Sequence, residues 1–256
     1  RLVMGHLPDA AADLYHPSLQ NNDEARFWQA VLRAREGDMK GAARFLRHLG
    51  AIIQPYPKAL KVPLGLLVAE GGIALGSVRT ARTFLDLVEA ESPKPADRAE
   101  LGYLAGLLAE MSGDTDSAVS EWEQVQTGPN RPSRARATKA RTELLLKKKE
   151  MGPKEAIEEF ENLRYAWRGD DFEFDVLLRL GELYIDVADF RNGLRTLRQA
   201  ATHFRTHARA AEVTQKMADS FASLYLDNAA DKLAPVTAIA LYDEFRELTP
   251  PGKRGD

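Results

Sequence analysis

The chain of 256 residues contains no cysteine, and it also lacks the short motifs that mark common classes of enzyme. Without a thiol it can form no disulfide framework, zinc–thiolate site or cysteine nucleophile. Gly71, Gly72 and Gly76 do not form a phosphate-binding loop, because no lysine followed by serine or threonine stands in the required place. A Gly-x-Ser-x-Gly nucleophile turn is missing as well. We therefore expect a protein that is not an enzyme and that uses no cofactor and no metal ion.

Long apolar runs and a strong charge of one sign are also lacking. The longest apolar stretch, residues 62–75, is shorter than a bilayer span and contains Glu70, so we expect no transmembrane segment. The 35 basic and 38 acidic residues give a net charge of −3, which argues against binding nucleic acid through bulk charge. The absence of cysteine slightly favours a bacterial envelope location, and the cytoplasm fits equally well with the rest of the composition.

What the sequence does contain is a turn that recurs at nearly constant spacing. Five copies have glycine or aspartate in the turn, a small residue four or five positions later, and an aromatic residue or leucine four positions after that, and a sixth, looser copy keeps only the last two. The intervals between the small residues are 39, 37, 38, 37 and 45 residues. Such a period indicates stacked supersecondary units, each made of two antiparallel helices joined by a tight turn. The paired positions are Ala42 and Leu46, Ala81 and Leu85, Ala118 and Trp122, Ala156 and Phe160, Gly193 and Leu197, and Ala238 and Tyr242.

Helical periodicity and residue types together resemble the tetratricopeptide-repeat family. Two of the six units are closest to that family's pattern, although the spacing here is longer than the family's 34 residues. The resemblance implies an all-α fold, a right-handed α-α superhelix of about six helix–turn–helix repeats, and a scaffold that binds other proteins. The matching residues are Leu177, Leu180, Gly181, Tyr184, Gly193, Leu197 and Ala200 in one unit, and Gly106, Ala118, Trp122 and Val125 in the other.

The unit limits follow from the turns. We predict a lead-in segment or partial helix over 1–22, a repeat domain over 23–250 and a tail over 251–256. Because the chain begins with Arg1 and ends just after a Pro-Pro-Gly turn, we expect a fragment of a longer protein, for which a bacterial source is one option. The predicted repeat units are 23–57, 62–95, 99–130, 134–168, 172–205 and 208–250.

The last helix, 236–248, has a wide apolar stripe formed by Ala238, Leu241, Phe245 and Leu248, with Ile239 and Tyr242 beside it. A terminal helix of a repeat array normally turns a polar face outwards. Either a further repeat follows in the full protein, or this face meets a partner, which includes self-association through this helix.

The resemblance also implies where a partner would bind, because the first helices of such repeats line a concave groove that takes peptides. Apolar anchors mixed with both signs of charge suit an extended or helical peptide. Trp167, in the loop between the fourth and fifth units, is a further candidate anchor, with packing over the junction as the alternative. The groove candidates are Phe27, Val31, Leu66, Glu70, Tyr103, Leu107, Glu110, Arg141, Leu145, Lys148, Lys149, Leu178 and Glu182.

Two alternatives remain open for the function. The basic segment 134–149 could bind nucleic acid or an anionic surface, although Glu155, Glu158, Glu159 and Glu161 on the next helix could neutralise it. The chain could also be a helical arm of a larger enzyme. His203 and His207 have the spacing of metal ligands on one helix, but no third ligand is evident.

Overall fold

The computed structural model describes residues 9–227 and 229–249, and within these ranges the chain forms α-helices and short 3-10 helices without any β-strand. The all-α fold class is confirmed. No helix in the described ranges is long and apolar enough to cross a bilayer. The α-helices are α1 (Asp9–Leu14), α2 (Asp23–Arg35), α3 (Met39–Leu49), α4 (Lys58–Ala74), α5 (Val78–Ala90), α6 (Pro95–Met111), α7 (Thr115–Gln126), α8 (Arg131–Lys148), α9 (Pro153–Ala166), α10 (Asp171–Asp186), α11 (Phe190–His203), α12 (Ala210–Leu226) and α13 (Pro235–Phe245).

Contacts divide the chain into two compact units, residues 1–144 and 145–256. In the first unit, α2 packs on α3, α4 on α5 and α6 on α7, and α3, α4, α5 and α6 also make contacts from one pair to the next. In the second unit, α10 packs on α9 and α11, and α11 packs on α12. A single repeat domain over 23–250 stays a prediction, and the predicted tail 251–256 lies outside the described residues.

The turns between paired helices share one hydrogen-bonding pattern. The second residue after the helix is left-handed, with φ of +94° at Gly37, +65° at Gly76 and +85° at Gly113. The next N–H then reaches the carbonyl oxygen five residues back; Asp114 N donates to Ala109 O at 2.9 Å. This arrangement satisfies helix-end carbonyls that would otherwise lack a donor, and glycine adopts it without the steric cost of a β-carbon.

The aspartate that completes such a turn also starts the following helix. The side chain of Asp38 accepts a hydrogen bond from Gly41 N at 2.8 Å, and Asp114 accepts one from Ser117 N at 3.1 Å. A side-chain acceptor at this position satisfies one of the free N–H groups of the first helical turn. The short Gly-Asp sequence therefore ends one helix and begins the next, which explains why it marks the repeat.

The turn between α8 and α9 takes a different form from the turns of the other pairs. Lys149 has a φ of +60°, and Glu150 N donates to Leu145 O at 2.9 Å. Gly152 has a φ of −81° and caps α9 instead, where its N–H donates to Glu155 Oε2 at 2.8 Å. The turn is thus four residues long, one residue longer than in the other pairs.

The small residues of the repeat allow the paired helices to approach closely. The side chain of Trp122 is fully buried, and its Nε1 donates to the Tyr103 carbonyl oxygen at 3.1 Å. A β-carbon at Gly106 would lie 2.7 Å from two carbons of the indole ring, so only glycine leaves room for this side chain. The last pair is the exception, because Tyr242 is 40% exposed while Leu241 and Phe245 face the core.

Candidate interaction site

Polar groups gather in the first unit where the first helices of three successive pairs, α4, α6 and α8, come together around Tyr103. Glu100 in α6 forms an ion pair with Arg136 in α8, and the hydroxyl of the buried Ser133 donates to the other oxygen of Glu100 at 3.0 Å. The Arg136 guanidinium lies over the Tyr103 ring, 4.4 Å from its centroid. A planar cation stacked on an aromatic face is a stable arrangement that keeps both groups in fixed positions.

Glu70 in α4 is a carboxyl group near Glu100 and Tyr103 that has no direct partner among the described residues. Among the described residues it makes neither a hydrogen bond nor an ion pair, and Arg136 acts on it only at longer range. Burial raises its pKa above the ordinary value of 4.5, and the negative charge of Glu100 raises the pKa further, while Arg136 lowers it. A partly buried carboxylate without a partner gains stability when a cation reaches it.

Tyr103 is the centre of this cluster. Burial raises the pKa of its hydroxyl, and the carboxylates of Glu100, Glu70 and Glu110 raise it further, against the opposing charge of Arg136. The site therefore holds three carboxylates and one guanidinium around a single aromatic ring. We call these residues the Tyr103 cluster: Glu70, Glu100, Tyr103, Glu110 and Arg136. Perturbed pKa values of this kind often mark functional positions.

Solved structures resemble this chain closely enough to define its fold. The chain superposes on Pseudomonas aeruginosa PilF with a TM-score of 0.53 at 15% identity, over 96% of each chain. It superposes on the apo form of RapI with a TM-score of 0.54 at 10% identity, over 99% of this chain and 69% of that one. The fold is that of a tetratricopeptide-like repeat protein.

A third similar structure makes the repeat explicit in its description. It is PH0952 from Pyrococcus horikoshii, a STAND-type signal transduction ATPase with a tetratricopeptide repeat sensor, with a TM-score of 0.55 at 13% identity. The match covers 90% of this chain and 36% of PH0952. No protein-family model matches the sequence, and no curated protein sequence matches it. The structural likenesses therefore carry the tetratricopeptide-like assignment and concern the fold alone.

Several predicted groove residues lie in the core of this tetratricopeptide-like fold instead of on its surface. Phe27 and Val31 are both 0% exposed, and Leu66, Leu145 and Leu178 are also buried. The expectation that these five side chains are accessible to a partner is therefore wrong. The physical reason is that first helices also pack on the neighbouring pairs of the repeat, and apolar side chains on that side fill the space between them.

Other predicted groove residues are accessible but are already in ion pairs. Arg141 bonds to Glu123 at 2.9 Å, Lys148 to Glu150 at 3.0 Å and Glu182 to Lys216 at 2.6 Å. Such pairs at the surface contribute little stability and can be exchanged for a partner's charges. Lys149 is exposed at the left-handed turn position, while Tyr103, Leu107 and Glu110 are partly exposed.

Trp167 is held by its local surroundings, which favours the packing alternative over an exposed anchor. Its Nε1 donates to Asp170 Oδ1 at 2.7 Å, and its ring meets the edge of Phe172 at a centroid distance of 5.8 Å. The aromatic side chain that is exposed in this segment is Tyr165, at 71%. No sequence signal distinguishes these two rings, because both occur in the same short connection.

The basic segment 134–149 is paired through residues other than those expected. Three of its ion pairs run to Glu100, Glu123 and Glu150. Two of the glutamates expected to neutralise it have other roles, since Glu155 caps α9 and Glu161 pairs with Arg164 at 3.1 Å. Sequence analysis did not predict Glu100 as a partner of this segment. The sequence feature that points to the pair is the separation of 36 residues between Glu100 and Arg136, which is about one repeat period.

His203 and His207 do not form a cluster with a third metal-ligating residue. His207 stacks on Phe174 at a centroid distance of 3.7 Å, and its Nε2 lies 3.5 Å from Asp171 Oδ1. Within the described ranges, no group of three histidine, aspartate or glutamate residues could hold a metal ion. The imidazole of His207 therefore serves as a packing element of the second unit.

Proposed function

We propose that this chain is a non-catalytic scaffold that binds a partner protein or peptide at the Tyr103 cluster. Proteins of this fold are typically protein-interaction scaffolds, which supports the general proposal. The observation that carries the location is the unpartnered, partly buried Glu70 beside the Tyr103 ring. Interfaces rely on such aromatic anchors together with charges that are satisfied on binding.

The charges of the cluster define the kind of side chain it would take. Glu70, Glu100 and Glu110 carry three negative charges, and Arg136 supplies one positive charge that is already paired with Glu100. A lysine or arginine side chain of the partner would therefore be attracted. Because Tyr103 and Leu107 are partly exposed next to these carboxylates, an apolar side chain would contact them. The expected ligand is a peptide with a basic residue next to an apolar one.

The proposal can be tested by selecting binders to the intact chain from a library of random displayed peptides. We expect the selected peptides to combine lysine or arginine with apolar residues. Their affinity, measured by fluorescence anisotropy, should fall about tenfold or more in Tyr103→Ala and Leu107→Ala, because truncating a central anchor costs over 1 kcal/mol. Glu70→Gln should weaken binding without removing any packing volume.

Tyr165→Ala is the matched control, because it removes an exposed aromatic ring from the second unit. Binding that is unchanged in all three cluster variants would move the site elsewhere. So would a loss of equal size in Tyr165→Ala. Circular dichroism of each variant separates a lost contact from a lost fold.

A second candidate function is self-association through the segment 236–248, which contains most of α13 and the short 3-10 helix after it. Val236 is 79% exposed, Ile239 is 64% exposed and Tyr242 is 40% exposed, and these residues repeat every three positions along the helix. The stripe that contains Leu241 and Phe245 packs inwards, so the exposed face is a different one from that expected. Sedimentation should show an oligomer whose dissociation constant rises in Ile239→Ser, and a monomer at all accessible concentrations would exclude this candidate.

A further inference from the structure

An open groove with a volume of about 850 Å³ lies in the first unit between α2, α3 and the end of α4. Four of its lining side chains are basic, and none of the described residues that line it is acidic. This composition contrasts with the net charge of −3 for the whole chain. The residues that matter here form what we call the α3 groove: Arg26, Lys40, Arg44, Phe45, His48 and Leu75.

The basic side chains of α3 form a regular row. Lys40, Arg44 and His48 stand four residues apart, which places them on one face of the helix at intervals of roughly 6 Å. Phe45 lies in the adjacent row and is 38% exposed. The guanidinium of Arg26, from α2, lies 5.8 Å from the centroid of the Phe45 ring. The groove therefore presents the cations Lys40 and Arg44 and the imidazole of His48 beside an apolar strip.

Lys40 and Arg44 differ from the basic row of α11, because no carboxylate in the described part of the chain pairs with them. Among the described residues, Lys40 and Arg44 make no ion pair, and α3 contains no acidic residue. Arg26 is the exception in the groove, with Asp23 at 3.4 Å. On α11, by contrast, Arg191 pairs with Glu244 at 2.8 Å, and Arg195 and Arg198 pair with Glu244 and Glu247.

We propose that the α3 groove binds an acidic segment of a partner protein, with its carboxylates on the row of Lys40, Arg44 and His48 and an apolar side chain against Phe45. An extended peptide places alternate side chains on one face roughly 6.6 Å apart, which matches the spacing of the row. An acidic peptide fits better than nucleic acid, because a phosphate backbone alone makes no use of Phe45 and Leu75. The site lies on other residues than the Tyr103 cluster and does not rest on the proposed function.

The test uses the intact chain and a short fluorescein-labelled peptide in which glutamate alternates with leucine and serine. The same peptide with glutamine in place of glutamate is the charge control, and a single-stranded RNA of mixed sequence is the polyanion control. Anisotropy should show that the double variant Lys40→Gln with Arg44→Gln binds the glutamate peptide about tenfold more weakly, because the variant loses two charge pairs with the peptide. Phe45→Ala should also bind it more weakly.

Matched variants make the result specific. The double variant Arg79→Gln with Arg82→Gln removes the same charge from exposed positions of α5, and it should bind like the unmodified chain. The Tyr103→Ala variant should also bind the acidic peptide normally, which separates this site from the Tyr103 cluster. Equal binding of the glutamate and glutamine peptides would overturn the proposal. Tighter binding of RNA, with affinity falling steeply between about 50 and 200 mM salt, would overturn it too.

Discussion

Ala188 occupies a backbone conformation that suits glycine, and its replacement by glycine should stabilise the protein. The turn between α10 and α11 has the same hydrogen bonds as the Gly-Asp turns, with Asp189 N donating to Tyr184 O at 2.8 Å. Ala188 stands where Gly37 and Gly113 stand in the other turns, and its φ is +63°. Its side chain is exposed, so removing the methyl group loses little buried surface.

The magnitude follows from two opposing contributions. A residue other than glycine in the left-handed region costs about 1–2 kcal/mol. Glycine gives the unfolded chain more freedom, which costs about 0.4–1 kcal/mol on folding. We therefore expect Ala188→Gly to raise the free energy of unfolding by about 0.5–1 kcal/mol. For a chain of this size, this corresponds to an increase in Tm of about 1–4 °C.

Urea unfolding followed by circular dichroism measures the effect, with Gly113→Ala as the opposite change at an equivalent turn. Gly113 has a φ of +85°, and a β-carbon there would meet nothing within 4 Å, so the cost in that variant is one of backbone conformation. Gly113→Ala should lower the midpoint. Amide hydrogen exchange should place the first effect in α10 and α11 and the second in α6 and α7. If Ala188→Gly lowers the midpoint or leaves it unchanged while Gly113→Ala lowers it, the reasoning from φ is wrong at position 188.

Three further predictions concern packing and ionisation. Gly106→Ala should lower the free energy of unfolding by about 1–3 kcal/mol, because a methyl group would force the Trp122 indole to move; an unchanged urea midpoint would contradict this. Glu70→Gln should stabilise the protein at neutral pH, because the raised pKa of the native carboxyl means that the native state loses stability as pH rises through that pKa. The stabilising effect of glutamine should vanish below pH 4.5, and a variant whose unfolding free energy exceeds that of the unmodified chain equally at every pH would contradict this. Hydrogen bonds from Ser117 lower the pKa of the Asp114 carboxyl, so the carboxylate stabilises the fold at neutral pH and this stabilisation is lost as pH falls through the lowered pKa. The variant Asp114→Asn keeps an acceptor at the start of α7, and its stability should depend less on acid pH. An unchanged pH profile of unfolding would argue against this role of Asp114.

Much of the helical architecture could be predicted from the sequence because its causes are local. Three features act within about ten positions of the chain: a glycine completes the turn, an aspartate caps the next helix, and a small residue lets the paired helix pack closely. Features of this kind recur at a regular interval in the sequence, and the recurring turn predicted the all-α, tetratricopeptide-like fold. The turn between α8 and α9 is the one whose details the repeat does not specify, since Lys149 takes the left-handed position and Gly152 caps the next helix.

The candidate site was predicted only in part, because accessibility depends on how each helix pair packs on the next. Phe27 and Tyr103 both occupy first helices and are both aromatic, yet Phe27 is completely buried and Tyr103 is partly exposed under the Arg136 guanidinium. The sequence marks both as apolar positions on a helix face. It contains no information on which of the two faces a neighbouring helix will cover.

By itself, then, the sequence determined the turns, the helix pairs and their period, since these depend on backbone conformation and on hydrogen bonds between residues a few positions apart. Only the tertiary structure decided which charges meet, such as Arg136 with Glu100 across one repeat, and which have no ion-pair partner in the described ranges, such as Lys40 and Arg44 on α3. Ion pairing of this kind depends on distances of a few ångströms between side chains from different helices. Those distances are set by the packing of whole helices, which no local pattern records.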